Sequence, residues 1–335
     1  MATADSSTLE SRACALVVSL GLARADLVGA ITPLSGGVSS DIARVDLPGR
    51  SICVKFALPK LRVAAEWRAP VRRNAAEYAW LEVAGRLAPG AAPALLGRDA
   101  EAGGFAMALV EAPVWKAALL AGAPAQPVAA AVGTVLGRIH AGSSSRGFDG
   151  HRFANADDFH ALRIEPYLLH TARAHPDRAG VLEGMAGALY RADRVLIHGD
   201  VSPKNILLAP AGPCLLDGEC ATMGDPAFDP AFCLSHLVLK AVHMPALAGD
   251  RLAAARALWR GYAAHVHWEA PEAVEARTAR LLPALMLARV DGKSPVEYLT
   301  EASRDRVRRL ARVMLVAPPR TLEAALGTIA DEGTL

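Results

Sequence analysis

The chain has 335 residues, a formal net charge of +2, and 52% apolar against 21% charged residues. At roughly 150 residues per domain that is about two domains with their own cores, and the apolar share excludes general disorder. The near-neutral charge argues against nucleic acid as the main partner, because phosphate binding draws on clustered cations.

Only 6 of the 36 basic residues are lysine: Lys55, Lys60, Lys116, Lys204, Lys240 and Lys293. Against that arginine background each lysine asks for a reason. The five cysteines form no CxxC pair and sit among apolar neighbours, as buried thiols in a reducing compartment would. No apolar run approaches the roughly 18 residues that span a membrane. Residues 13–23 are apolar but follow Asp5 and Glu10 rather than a basic lead, so they read as part of an N-terminal helix (8–24) of a cytoplasmic chain.

Residues 28–58 carry a strand-like pattern, with turn signals at Ser35-Gly36-Gly37 and at Pro48-Gly49. The second turn joins 41–47 to 51–56 as a hairpin. A helix is expected over 74–87, then strands over 94–96 and 105–110, the latter closed by Glu111-Ala112-Pro113. After an alanine-rich connector (117–131) the pattern turns helical, over 126–141, 157–174, 176–189, 230–242, 251–265 and 271–287. One β-rich island, 194–217, interrupts these helices. The expectation is an α+β chain whose first part, 1–112, is rich in strands, and whose second, 113–335, is mainly helical. No internal repeat is visible.

Chemistry concentrates in the island. The apolar strand Val195-Leu196-Ile197 runs into His198-Gly199-Asp200-Val201-Ser202-Pro203-Lys204-Asn205, and a second strand follows at once. A turn and a third strand then end in Leu216-Asp217-Gly218-Glu219. Asp200, Asn205 and Asp217 thus fall at neighbouring strand ends of a hairpin, three oxygen-bearing side chains on one spot. Hard cations want such ligands, and Mg2+ with nucleotide phosphates is the usual occupant. GxxxxGK[ST], GxSxG and HExxH are absent from the sequence. His265 and His267 form an HxH with no acid beside it.

This combination resembles the small-molecule branch of the kinase-like fold: aminoglycoside phosphotransferases, choline kinases and methylthioribose kinase. That branch carries H-G-D-x-x-x-x-N and a later acid, where protein kinases carry H-R-D and D-F-G. The resemblance implies a two-lobed protein-kinase-like fold, with an antiparallel sheet in the small lobe, a larger helical C-terminal lobe, and ATP and Mg2+ between them. It makes Asp200 the catalytic base and Asn205, Asp217 and Glu219 the metal ligands, with His198 and Lys204 supporting the catalytic loop. Asp229, closing Gly224-Asp225-Pro226-Ala227-Phe228-Asp229, corresponds to a structural aspartate that opens a helix. In the first lobe it assigns Ser35, Gly36 and Gly37 to the phosphate-covering turn and Lys55 to the α/β-phosphates. Glu77 would be the partner of Lys55, with Glu66 the runner-up, and the backbone at Val110 and Ala112 would read adenine.

Asp225 comes only eight positions after Asp217, which leaves no activation segment and disfavours protein substrates. A small alcohol gripped by the C-terminal lobe is expected. The candidate grips are Arg163 and Tyr167, taken to share one helix face with Phe159 and Pro166, then His236 with Lys240, then Arg289 and Lys293 around a polar break. These cations suit a sugar, a carboxylate or a phosphorylated acceptor. The Asp217-x-Glu219 pattern points to a sugar such as methylthioribose. Alternatives are an aminoglycoside, a choline-type amino alcohol, or a catalytically silent nucleotide-binding regulator. Neither nucleic acid nor membrane is expected as a partner, and the oligomeric state is left open.

Overall fold

The computed structural model describes residues 8–34, 40–58 and 73–331. The turn expected at Ser35, Gly36 and Gly37 lies outside the described residues, as do Lys60 and Glu66. The chain divides into two compact units, Met1–Glu111 and Ala112–Leu335.

In the first unit α1 (Leu9–Ser19) starts at Thr8, whose hydroxyl accepts the Ser11 N–H at 3.2 Å, satisfying one orphan donor of the first turn. The helix is shorter than the expected 8–24, because the chain turns at Gly21 with φ +67°. Strands β1 (Ile31–Pro33), β2 (Ser40–Leu47) and β3 (Arg50–Ala57) follow, then α2 (Arg73–Leu87), β4 (Leu95–Asp99) and β5 (Gly104–Ala108). They form one antiparallel sheet in the order β1-β2-β3-β5-β4. Leu47 pairs with Arg50 across a two-residue turn in which Gly49 takes φ +76°, a conformation open to glycine at little cost.

Alternation along β3 decides where its side chains go. Val54 and Phe56 join Ala43, Val45 and Ala106 in an apolar cluster with Ala13, Leu16 and Val17 of α1. Lys55, between them, therefore points to the other face, where α2 lies. Its cross-strand partner Phe105 meets Tyr78 of α2 edge-on at 5.7 Å. One buried cation is thus delivered to a helix by strand period alone.

The second unit opens with α3 (Trp115–Leu120) and α4 (Gln126–Ser143). The single helix expected over 157–174 is instead three pieces: α5 (Ala156–Phe159), a π-helical stretch His160–Leu169, and α6 (His170–Ala174). Pro166 is the physical reason. It has no N–H for the carbonyl four residues back, and its ring crowds that carbonyl, so the coil widens. The carbonyl concerned, Leu162 O, accepts from Arg163 Nη1 at 2.6 Å.

Next come α7 (Ala179–Tyr190) and the island: β6 (Val195–Ile197), β7 (Ile206–Ala209) and β8 (Gly212–Leu215), followed by a strand the pattern did not reveal, β9 (Thr222–Gly224). β7 and β8 form a hairpin, and β9 pairs with β6. Then α8 (Phe228–His243), α9 (Ala248–Ala263) and α10 (Pro271–Asp291) build the core. Two helices beyond the expected set, α11 (Glu301–Val316) and α12 (Leu322–Asp331), complete it. α8 is buried from Phe228 to Val242 and is the unit's central rod. α4 and α9 touch backbone to backbone: a Cβ on Gly133 would lie 2.0 Å from Leu258 O, and one on Gly261 would lie 2.4 Å from Ala130 O. His265 and His267 lie beyond the end of α9. No helix among the described residues is long and apolar enough to cross a membrane.

Candidate active site

The His198–Asn205 loop leaves the buried strand β6 and is tied down from below. Asp229, fully buried in the first turn of α8, accepts the backbone N–H groups of His198 (2.7 Å) and Gly199 (2.9 Å). His140 of α4 approaches the same carboxylate at 3.3 Å and meets Tyr262 of α9 at 2.9 Å. Gly199 takes φ +78°, and a Cβ there would lie 2.8 Å from both Cys220 Cβ and Cys220 O. Conformation and space both call for glycine in the middle of His-Gly-Asp.

His198 sets the spacing of the site. Its Nδ1 accepts the Asp200 N–H at 3.1 Å, so the ring proton sits on Nε2, which donates to Leu216 O at 3.0 Å. Burial pushes its pKa down, against the pull of Asp229 and Asp200, consistent with that neutral tautomer. Leu216 N–H in turn donates to Asn205 O at 2.8 Å. The end of β8 is thereby held beside the loop, and Asp217, the next residue, acts electrostatically on Asp200, His198 and Lys204. Asp217 is the one non-glycine residue with positive φ (+67°) among the described residues. Aspartate tolerates that region better than most residues, and such outliers gather where a side chain must be aimed.

Asp200 is 3% exposed. Three donors converge on its Oδ2: Arg163 Nη2 at 2.9 Å, Asn205 Nδ2 at 2.9 Å and Lys204 Nζ at 3.4 Å. Burial drives its pKa up, but Arg163 and then Lys204 outweigh it and hold the carboxyl below the usual range. Oδ1 accepts no hydrogen bond from the described residues. Asn205 Nδ2 also reaches Asp200 O at 3.0 Å. With its nitrogen so engaged, the amide presents its oxygen as the available donor atom.

Among the described residues no three His, Cys, Asp or Glu side chains gather into a metal cage. The oxygens of Asn205, Asp217 and the buried Glu219 nonetheless fit Mg2+, which takes one or two carboxylates plus phosphate oxygens and keeps several waters.

In the first unit Lys55 Nζ donates to Glu77 Oε1 at 2.7 Å, and both side chains are buried. Asn74 Nδ2 reaches Lys55 O at 3.4 Å. Val110 lies two residues beyond the end of β5, and Ala112 opens the second unit.

The residues expected to grip an acceptor separate into two groups. Arg163 is engaged elsewhere. It is buried, donates to Gly199 O (2.7 Å) and Leu162 O, and pairs with Asp200. Phe159, Arg163, Pro166 and Tyr167 do not share one α-helical face, because the π turn intervenes. Tyr167 accepts from Arg289 Nη1 at 3.1 Å, and the Lys293 N–H donates to Pro166 O at 3.0 Å. His236, Lys240 and Arg289 line a small cavity that also touches Ser202 and Lys204 of the loop. Lys116, which belongs to no motif of the sequence, lines this cavity too. Its position on α3 follows from the packing of the unit, which no motif reports.

The model of the phosphotransferase enzyme family APH matches residues 30–265. Among solved structures, a choline/ethanolamine kinase family protein from Mesorhizobium loti aligns with TM-score 0.54 and 19% identity, over 96% of this chain and 98% of that one. The choline kinase LicA from Streptococcus pneumoniae gives 0.51 and 18%, over 92% and 99%. Amicoumacin kinase hAmiN, in complex with AMP-PNP, Ca2+ and Ami, gives 0.56 and 15%, over 94% and 98%. At these identities the likeness is one of fold, the protein-kinase-like α+β fold. No curated protein sequence matches the chain.

Proposed function

We propose that this chain, which belongs to the phosphotransferase enzyme family, transfers the γ-phosphoryl group of Mg2+-ATP to a hydroxyl of a small molecule held by Asp200. The class, a kinase acting on an alcohol group of a small molecule, comes with the family. The role of Asp200 rests on one observation: three donors occupy its Oδ2 and none of the described residues occupies Oδ1.

Oδ1 accepts the hydrogen of the acceptor hydroxyl and turns its oxygen lone pair toward the γ-phosphorus. The new phosphorus–oxygen bond forms as the bond between the γ-phosphorus and the β–γ bridging oxygen breaks. ADP leaves with that oxygen, and the hydroxyl proton passes by way of Asp200 to solvent. A carboxylate held below its usual range is a weak base. It orients the hydroxyl more than it deprotonates it, as a loose transition state requires. Asn205, Asp217 and Glu219 would hold Mg2+, which screens the charge on the phosphates. Lys55, fixed by Glu77, takes the α/β-phosphates, and the backbone near Val110 and Ala112 takes adenine. The complex of amicoumacin kinase with AMP-PNP and Ca2+ supports ATP with a divalent ion. The Asp217-x-Glu219 pattern makes a sugar such as methylthioribose one acceptor to try.

An ATP-consumption screen over methylthioribose and other sugars, amino alcohols, aminoglycosides and hydroxy acids tests this reading, with Asp200→Ala beside the wild type. Acceptor-dependent turnover that falls by several orders of magnitude in the variant is the expected result. Turnover that survives the substitution would remove Asp200 from the chemistry.

A further inference from the structure

We propose that the cavity beside the catalytic loop binds a carboxylate, so that the acceptor is a small hydroxy acid; this deepens, and rests on, the phosphotransfer reading above. The cavity lies between the loop (Ser202, Lys204), α3 (Lys116), α8 (His236, Lys240), α10 (Arg289) and the segment before α11 (Glu297, Tyr298). It borders the chemistry directly, since Lys204 Nζ is 3.4 Å from Asp200 Oδ2.

Charge is the first argument. Two of the four cations have partners: Lys204 pairs with Asp200, and Lys116 with Glu297. Lys240 and Arg289 have no carboxylate within ion-pair distance among the described residues. Lys240 is 1% exposed and rests with Nζ 5.0 Å from the centre of the Tyr298 ring. Arg289 meets only neutral oxygens, Tyr167 Oη at 3.1 Å and Ser294 Oγ at 3.2 Å, with Ser294 O. A buried cation without counter-charge, as at Lys240, is costly, and a bound anion removes that cost.

Hydrogen bonding is the second argument. Ser202 Oγ, His236 Nε2 and Tyr298 Oη are buried with no hydrogen-bond partner among the described residues, and all three residues line the cavity. Each can donate a hydrogen, and Ser202 and His236 are themselves more than nine-tenths buried. Size is the third. The cavity holds about 30 Å3, and one water needs roughly 10–15 Å3. That is room for a small head group such as a carboxylate. A choline-type or aminoglycoside cation would be repelled.

Lys240 also gives the site a proton signature. Burial pushes its pKa down to about 7; Lys116 and Arg289 push the same way, while Cys233 and Glu297 oppose them. His236 is driven well below its usual value by burial and by Arg289, Lys240, Lys204 and Lys116, and stays neutral. Burial raises Tyr298, which stays protonated. A bound carboxylate raises the Lys240 pKa. Carboxylate affinity is therefore fully present below about pH 7 and is lost as pH rises through the bound-state pKa, and binding at pH 8 takes up protons.

The test is calorimetric titration of the full chain, in the presence of Mg2+-ADP, with matched probes: glycerate against glycerol, gluconate against glucitol, glycerol 3-phosphate, and choline. At least one carboxylate should bind roughly tenfold or more tighter than its neutral counterpart. At pH 8 its heat should vary with the ionisation heat of the buffer. Both effects should disappear in Lys240→Met and weaken in Lys116→Gln, a rim substitution that guards against misfolding of the buried variant. Binding by no carboxylate, equal binding of the neutral probes, preference for glycerol 3-phosphate or choline, or unchanged carboxylate binding in a folded Lys240→Met would each overturn the proposal. Asp200-dependent turnover of neutral acceptors would overturn it while leaving the phosphotransfer reading in place. Carboxylate binding without turnover of any acceptor would do the reverse.

Discussion

Asp200 shows how one side chain is tuned by its neighbours. Burial alone would raise its pKa, and Arg163 is the first group to counter it. A depressed carboxyl is ionised above its lowered pKa and fails only as pH falls through it. The acid limb of kcat/KM should therefore lie below the ordinary carboxylate value of about 4. Arg163→Gln should move that limb upward and lower kcat; an unmoved limb with intact activity would show that Arg163 does not set the state of Asp200. The service of Arg163 could not be read from spacing, because it depends on where a π turn sends one guanidinium. Lys55 and Glu77 are different. Strand period places the lysine and helix period the acid, so their pairing at 2.7 Å was within reach of the sequence. Of the six lysines, Lys116, Lys204 and Lys240 line one cavity, and Lys55 is buried in an ion pair.

At the scale of elements, the island was legible because its strands are apolar and its polar residues fall at their ends. The hairpin β7–β8 and the entry strand β6 follow that pattern closely. β9 was not legible: its three residues look like loop, and pairing with β6 alone makes them a strand. The break in the helix over 157–174 had a visible cause in Pro166, but the π winding needed the packed structure. α11 was open to reading, since Val307, Leu310, Ala311 and Met314 form a stripe at helical spacing. The glycines of α4 carry a stability prediction. Gly133→Ala places a methyl 2.0 Å from Leu258 O, so α4 and α9 must separate. A loss of about 1–3 kcal/mol or more is expected, read as a lower urea midpoint at unchanged slope. A midpoint equal to wild type would mean that the helices can move apart at no cost.

For the whole molecule, length indicated about two cored regions; the structure forms two compact units, Met1–Glu111 and Ala112–Leu335. The division of labour is the proposal: the first unit supplies Lys55 and Glu77, the second supplies Asp200, Asn205, Asp217 and the acceptor cavity. Mg2+-ADP at a hundred times its Kd should stabilise the native chain by about 2.7 kcal/mol, or on the order of 4 °C in Tm. That gain should persist in Asp200→Ala and shrink in Asp217→Ala. Equal gains in both variants would take Asp217 out of metal binding.

The central claim, phosphoryl transfer to a small hydroxyl through Asp200, is tested most directly by 31P NMR of the full chain with Mg2+-ATP and a panel of sugars, amino alcohols and hydroxy acids. The expected result is a new phosphate monoester with at least one acceptor, formed mole for mole with ADP and absent in Asp200→Ala. ATP bound but converted with no acceptor, or a monoester formed equally well by Asp200→Ala, would contradict it.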